Sequence, residues 1–426
     1  MGTSIFSRLI EALCSGDWLT RARMRRWGLA VLIAGSGGLA YLVASAHGIV
    51  DFRNRPLGTD FAGFYAAGTL VINGDVAAPY DVTHLHAGEQ AIFGADAPLY
   101  SFSYPPFFLL IAAALARLPY ALALALWQGV SLALYLLALR AVLRTGRAAE
   151  AETDLARDRL WVLLALGFPG VFVNLAHGQN GLLTAALIAG ALALLQSRPI
   201  VAGVLFGFLT YKPQFGPMIP LALIAGGYWR TVAAAVMTVA LLVLATLLAF
   251  GPEAWRAFIA STEFMRTVLL ESGAGGWHKM QSVFSWTRMW GGSVALAYAM
   301  QAIVMVALGA TLVWRWRAAV PFELKAAALC LAIPLAAPHS FDYDLVVLAP
   351  AIAFFAVHGA ANGFGPLTKT ALAVLWIVPI VARLIAGATF IPVAVPAMLA
   401  AYALALWNGS RARMPEPGAA KAISLG

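Results

Sequence analysis

The stretch "RARMRRWGLAVLIAGSGGLAYLVASA", residues 21–46, joins a cluster of arginines to a long apolar run. A helix needs about 20 apolar residues to cross the hydrocarbon core of a bilayer, and this run is of that length. Similar runs recur along all 426 residues, of which 62% are hydrophobic and 11% charged, whereas soluble domains carry about 25% charged residues. The sequence therefore predicts an all-α polytopic membrane protein, and no alternating ten-residue strands of a β-barrel occur.

The same stretch also resembles a secretory signal peptide, because "ASA" at 44–46 is typical of a cleavage site. However, the apolar run at 27–46 is longer than the hydrophobic region of most signal peptides, and the arm before it is long. We therefore expect an uncleaved first helix. The arginines place residues 1–26 on the cytoplasmic side, as an interfacial arm.

The net charge of +9 is more typical of basic residues at cytoplasmic helix ends than of nucleic-acid binding. The run at 105–118 lies between prolines and has about 13 residues, or about 20 Å of helix, which is short for a span. If it is re-entrant or interfacial, the later basic residues all fall inside. These are Arg140, Arg144, Arg147, Arg198, Arg230, Arg315, Arg317, Lys325, Lys369, Arg411 and Arg413.

The whole chain, 1–426, is accordingly predicted to be a single integral membrane domain with about 12 transmembrane helices. Both termini are cytoplasmic on this topology, and residues 409–426 form a cytoplasmic tail. Residues 49–104 form a first outer loop and residues 251–293 a second, each with juxtamembrane helices. The unusual polar motifs then lie at the outer face. Cys14 and Cys330 are too differently placed for us to expect a disulfide.

The first outer loop contains one isolated acid in "TDFAGFYAAGTLVIN", residues 59–73. Phe61, Phe64, Tyr65 and Gly68 recur at helical spacing, which predicts a short helix with an aromatic face. Thr59 or Asp60 could cap this helix. Alternatively, Asp60 is a carboxylate in an interfacial cleft, where burial would raise its pKa and make it a usable base.

Three further motifs, at 175–181, 210–216 and 337–345, allow both a structural and a functional interpretation. In "LAHGQNG", 175–181, His177, Gln179 and Asn180 form a turn or contact a substrate. In "TYKPQFG", 210–216, Lys212 snorkels or, with Gln214 beside it, binds an anionic lipid phosphate.

In "APHSFDYDL", 337–345, Ser340 or Asp342 caps the next helix, or His339 and Asp342 act in the site. These side chains with Asp344 could bind a divalent metal, which we do not favour because no second cluster supports it. The loop at 251–293 contains "GGWHKMQSVFSWTRMWGG", which is either an interfacial helix or presents His278, Lys279 and Gln281 to a lipid phosphate or sugar.

The motifs "TDFAGFYAAGTLVINGDVAAPYD", "FSYPPF", "HGQNG" and "YKPQFG", in this order, resemble glycosyltransferase family 87. The matching motifs cover about residues 50–220, and "MQSVF" and "PHSFDYD" match more loosely. Members of this family are similar to bacterial polyprenol-phosphate mannosyl- and arabinosyltransferases of the GT-C type.

The resemblance implies a GT-C fold in the bacterial inner membrane and inverting transfer of a sugar, such as mannose, from a polyprenyl phosphate. The acceptor would be a glycolipid or glycan at the outer face, with no cofactor and no nucleic acid. Asp60 matches the catalytic acid of the first outer loop, and His339 is the candidate assisting histidine. The predicted substrate-binding side chains are Lys212, Gln214, His177, Gln179, Asn180, Tyr65, Tyr104, Lys279, Gln281 and Asp342.

Two other functions remain open at this level. A secondary transporter would use broken helices and acids at the midplane of the membrane, whereas these acids lie at the outer boundary, and no inverted repeat is visible. The other alternative is a non-catalytic membrane scaffold.

Overall fold

The computed structural model describes residues 5–145 and 155–411, which form helices and connecting turns without a β-strand. The predicted cytoplasmic tail and most of the inner loop at 147–159 lie outside the described residues. The helices, in chain order, are α1 Ile5–Ser15, α2 Arg21–Ala44, α3 Thr59–Ile72, α4 Val82–Phe93, α5 Phe107–Leu115, α6 Tyr120–Leu143, α7 Leu160–Leu166, α8 Pro169–His177, α9 Gly181–Leu194, α10 Pro199–Phe208, α11 Met218–Ala225, α12 Trp229–Phe264, α13 Val283–Met289, α14 Val294–Arg317, α15 Phe322–Ala336, α16 Leu348–Asn362, α17 Thr368–Thr389 and α18 Ala394–Arg411.

Within the described residues, six helical segments are long and apolar enough to cross a membrane, or seven if α7 and α8, bent by 41°, form one span. The six begin with α2, α6, α12, α14, the turn before α16, and α17. Several other helices are apolar but shorter, at 10–17 residues. The chain is thus an all-helical multi-pass membrane protein. The count of about 12 spans stays a prediction.

Helix α5 has nine residues, or about 14 Å of helix, which is less than half of a bilayer core. It begins directly after the paired prolines Pro105 and Pro106 and ends before Pro119. Proline favours the start of a helix but disrupts its interior, so this short length follows from the sequence. By length, α5 fits the predicted re-entrant or interfacial helix rather than a span.

Helix α3 confirms the predicted helix of the first outer loop, and its aromatic face packs inward. Phe61 and Phe64 are buried, and the Phe64 ring lies edge-on to the ring of Phe108 on α5, at 5.1 Å. The prediction of a side-chain cap was wrong. The N-cap is Gly58, with φ 69° and no side-chain hydrogen bond, because glycine adopts this left-handed conformation freely. The side chains of Thr59 and Asp60 are therefore available for other contacts.

The two ends of the helical bundle carry different groups of residues. At one end, the N-terminal arm docks on the start of α17, where Trp18 Nε1 donates to Thr370 Oγ1 at 3.2 Å and Lys369 pairs with Asp17 at 3.2 Å. At the other end, the five polar motifs of the sequence meet around one cavity, which is lined by Asp60, His177, Lys212, Lys279 and His339 among others. Helix α2 connects the ends over 24 residues, or about 36 Å. The predicted separation of basic arm and polar motifs therefore holds.

The close contact between α3 and α5 depends on Gly68. A Cβ atom at this position would lie 2.2 Å from the backbone oxygen of Ala112. We expect Gly68→Ala to force the helices apart and lower thermal stability, by about 1–3 kcal/mol for an overpacked contact. Gly129→Ala is the control, because a Cβ there meets nothing within 4 Å. Melting curves in detergent measure both variants, and equal melting temperatures would contradict the packing argument.

Candidate active site

A cavity of about 520 Å³ opens where the polar motifs meet. Its lining comes from the first outer loop, the α8–α9 turn, the 3₁₀ turns at 209–215, the second half of α12, residues 274–279, residues 339–344 and α17. Eight predicted site residues line it: Asp60, Tyr104, His177, Gln179, Lys212, Gln214, Lys279 and His339.

Asp60 lies in the first turn of α3, and the side chains of Gln179 and His177 lie beside its carboxylate. Its Oδ2 accepts from Gln179 Nε2 at 2.9 Å, and its Oδ1 lies 3.9 Å from His177 Nδ1. The same His177 nitrogen lies 2.9 Å from Thr59 Oγ1. In the described part of the chain, no lysine or arginine forms an ion pair with Asp60. The carboxylate is therefore oriented and also partly exposed to the cavity.

Gln179 is fixed in turn by its own partners. Its Oε1 accepts from Tyr104 Oη at 3.2 Å and from the backbone N–H of Asn180 at 3.1 Å. These bonds leave its amide N–H group to donate to Asp60. The positive φ of Gly178, 62°, ends α8 and places Gln179 at the cavity. The "HGQNG" motif is therefore a turn, and it also holds the carboxylate.

Lys212 and Asp344 form a buried ion pair in the cavity wall, with both side chains 2% exposed. Asp344 also accepts from the backbone N–H of Phe341 at 3.1 Å. The ammonium of Lys212 lies 5.4 Å from the ring centre of Phe215 and 5.6 Å from that of Tyr343. The snorkelling interpretation of Lys212 was wrong, because a snorkelling lysine reaches water, whereas this side chain is enclosed.

Arg383 of α17 lines the cavity and pairs with Asp342, with Arg383 Nε 2.6 Å from Asp342 Oδ2. The sequence analysis did not select Arg383. Its signal was a charged residue inside the apolar run of α17, which is a functional candidate by default. Asp342 and Asp344 are thus each paired with a cation. No group of three or more His, Cys, Asp or Glu side chains in residues 5–145 and 155–411 could hold a metal ion.

His339 lines the cavity close to the Lys212–Asp344 pair, and its ring lies edge-on to Phe341 at 4.8 Å. Burial lowers the pKa of His339 to about 4, so the imidazole is neutral at neutral pH. Its Nε2 has no hydrogen-bond partner within the described residues. A neutral ring offers a hydrogen bond rather than a positive charge.

Four predicted site residues lie outside the cavity lining. Tyr65 donates to the backbone oxygen of Leu118 at 2.9 Å and ties α3 to the end of the α5 segment. Asn180 is fully buried at the start of α9, and Gln281 is fully buried and accepts from the backbone N–H of Ala394 at 3.4 Å. Asp342 lies behind Arg383. If these four side chains contribute to substrate binding, as predicted, they do so by supporting residues that line the cavity.

The sequence profile described as "Glycosyltransferase family 87" matches residues 102–338, more than half of the 426 residues. The chain belongs to glycosyltransferase family 87. The matched region contains Tyr104, the α8–α9 turn, Lys212 and Lys279, whereas Asp60 precedes it and His339 directly follows it. No curated protein and no solved structure matches the chain. Family membership favours glycosyl transfer over the transporter and scaffold alternatives.

Glu89 of α4 was not selected from the sequence, yet it supports the cavity wall. It is fully buried, and both carboxyl oxygens lie near the backbone N–H of Tyr100, at 3.0 and 3.1 Å. Tyr100 itself lines the cavity. Burial raises the pKa of Glu89 to about 8, although the hydrogen bond from the backbone N–H of Tyr100 opposes the shift.

This pKa predicts a pH-dependent stability. A glutamate in an unfolded chain has a pKa of about 4.3, so between there and about 8 the folded protein retains a proton that the unfolded chain releases. The contribution to stability is fully present below about pH 4.3 and is lost as pH rises through about 8. Glu89→Gln should reduce the change in melting temperature with pH over this range, whereas Glu253→Gln, at an exposed position, should not. An unchanged slope in Glu89→Gln would contradict the assignment.

Proposed function

We propose that this glycosyltransferase moves a sugar from a polyprenyl-phosphate donor to an acceptor hydroxyl, with inversion at the anomeric carbon and Asp60 as the base. The observation that carries the proposal is the different pairing of the acids. Asp342 and Asp344 each form an ion pair with a buried or half-buried cation, whereas Asp60 accepts a hydrogen bond from Gln179 and is partly exposed to the cavity. A carboxylate with this environment can accept a proton from a hydroxyl group.

The leaving group explains why one acid suffices. A glycosidase flanks its bond with two carboxyl groups, because a sugar alkoxide must be protonated as it leaves. A phosphate leaves without protonation, so no general acid is needed. In the proposed step the acceptor oxygen bonds to the anomeric carbon and its proton passes to Asp60. The bond from the anomeric carbon to the phosphate oxygen breaks, and the phosphate retains the electron pair.

Positive charge in the cavity suits a phosphate-bearing donor. Four cationic side chains line it, namely Arg55, Lys212, Lys279 and Arg383, against the carboxylates Asp60 and Asp344 in the lining and Asp342 behind Arg383. We propose that Lys279 contacts the donor phosphate directly, with neutral His339 and Gln214 as hydrogen-bonding groups. Lys212 adds electrostatic stabilisation from within its pair. The volume of about 520 Å³ is in the range of small-molecule sites.

The membrane setting is part of the proposal. The six or seven helical segments long enough to cross a membrane, together with the shorter apolar helices of the described residues, are compatible with the GT-C fold that we propose. With the arginine-rich arm in the cytoplasm, the cavity faces the outer side of the bacterial inner membrane. A glycolipid or glycan acceptor would reach it from that side. The polyprenyl tail would remain in the bilayer, which accounts for a sugar-transferring enzyme that is almost entirely apolar helix.

The decisive variant is Asp60→Asn, which keeps the shape of the side chain but removes the base. We expect transfer from a radiolabelled polyprenyl-phosphate mannose in membranes to fall about 10²–10⁴-fold, the usual contribution of a positioned base. Asp96→Asn is the matched control, because Asp96 is an exposed acid of the same loop. Near wild-type transfer by Asp60→Asn would refute the assignment.

Lys279→Gln tests the donor phosphate contact. Lys212 is less suitable, because its removal leaves Asp344 buried and unpaired, which destabilises the fold. We expect Lys279→Gln to raise the KM for the donor about tenfold, as for loss of a charged hydrogen bond, and to leave the KM for the acceptor nearly unchanged. Arg256→Gln, on an exposed face of α12, is the control. An equal rise in both KM values would contradict a phosphate-specific role.

A further inference from the structure

A second cavity, of about 330 Å³, lies at the end of the bundle opposite the candidate active site. It is enclosed by the start of α2, by α7, by the end of α16 and by the start of α17. Its wall is almost entirely apolar, and includes Met24, Trp27, Leu164, Ile352, Leu372 and Trp376. Exposure of an apolar surface to water is unfavourable, so the cavity favours an apolar occupant.

The polar residues of this cavity are Arg21, Asp158 and Lys369. Arg21 pairs with Asp158 at 2.7 Å, but its side chain is 72% exposed and can donate to another anion. Lys369 pairs with Asp17 at 3.2 Å. Residues 17–27, residues 155–159 and Lys369 together carry seven cationic and two anionic side chains. The surroundings of the cavity therefore have an excess of positive charge.

Three tryptophans line the cavity and place it near the membrane interface. Trp161 donates to the backbone oxygen of Ala156 at 3.2 Å, and Trp376 donates to that of Leu164 at 3.0 Å. Trp27, on α2, is 44% exposed. Tryptophan is enriched at the headgroup level, where one side of the ring is apolar and the other is hydrated. The apolar wall and the cations are thus at the depth of a lipid headgroup.

We propose that this cavity binds one anionic phospholipid, with an acyl chain against the apolar wall and the phosphate at Arg21 and Lys369. Both features are needed: inorganic phosphate would leave the wall unfilled, and a zwitterionic lipid would not match the positive charge. The bound lipid would join α2 and the N-terminal arm to α17.

The test uses the full chain purified in a neutral detergent, with phosphatidylglycerol, phosphatidylcholine or inorganic phosphate added at equal concentration. We expect native mass spectrometry to show one retained phosphatidylglycerol, and the melting temperature to rise with this lipid alone. The double variant Arg21→Gln/Lys369→Gln should bind it about tenfold more weakly. Arg317→Gln should bind as wild type, because Arg317 is an exposed cation at the end of α14 that does not line the cavity.

A second variant tests the apolar wall without changing charge. Ala356 lines the cavity, so Ala356→Phe should occupy part of it and weaken phosphatidylglycerol binding while the protein still melts cooperatively. Three results would each overturn the proposal: equal retention of phosphatidylcholine, equal stabilisation by inorganic phosphate, or wild-type lipid binding by both the double variant and Ala356→Phe.

Discussion

The buried ion pair between Lys212 and Asp344 joins two segments that lie 132 residues apart in the chain. Both charges are removed from water, so each depends on the other, and loss of one partner typically costs about 3–5 kcal/mol. The pair fixes the 3₁₀ turns at 209–215 against the turn that precedes α16. These are the two walls of the cavity that come from the middle and the late part of the chain. The position of the proposed phosphate contacts relative to Asp60 depends on this junction.

The same pair determines which acid can react. A carboxylate oxygen that is already bound by a cation is not free to accept a proton from a hydroxyl group. Asp344 and Asp342 are each held in this way, by Lys212 and Arg383. Asp60 instead accepts a hydrogen bond from the amide of Gln179 and lies beside His177, and no lysine or arginine of the described residues pairs with it. The site is thus organised by pairing two of its three acids and leaving one available. These groups lie at helix ends and in turns. Irregular backbone of this kind is tolerated near membrane depth where it lines a cavity.

Much of this arrangement could be predicted from the sequence. The apolar runs identified the helices, the spacing of Phe61 and Phe64 identified the buried face of α3, and the charge bias grouped the polar motifs at one end. The pairing of charges could not be predicted. Whether Lys212 snorkels or is buried depends on Asp344, and whether Asp60 caps α3 depends on the backbone of Gly58. Arg383 was missed because its partner, Asp342, is distant in sequence. Glu89 was missed because its partner, the backbone N–H of Tyr100, lies in the adjoining loop.

The proposed inverting transfer requires Asp60 and the donor phosphate to lie on opposite sides of the reacting carbon. A cryo-EM structure of the full chain with a non-transferable polyprenyl-phosphonate sugar and an acceptor tests it most directly. The proposed mechanism predicts the acceptor hydroxyl within about 3 Å of the Asp60 carboxylate, in hydrogen-bond reach for proton transfer, with the phosphonate beside Lys279 and His339. A phosphonate in contact with Asp60, or a sugar bound away from it, would contradict the mechanism.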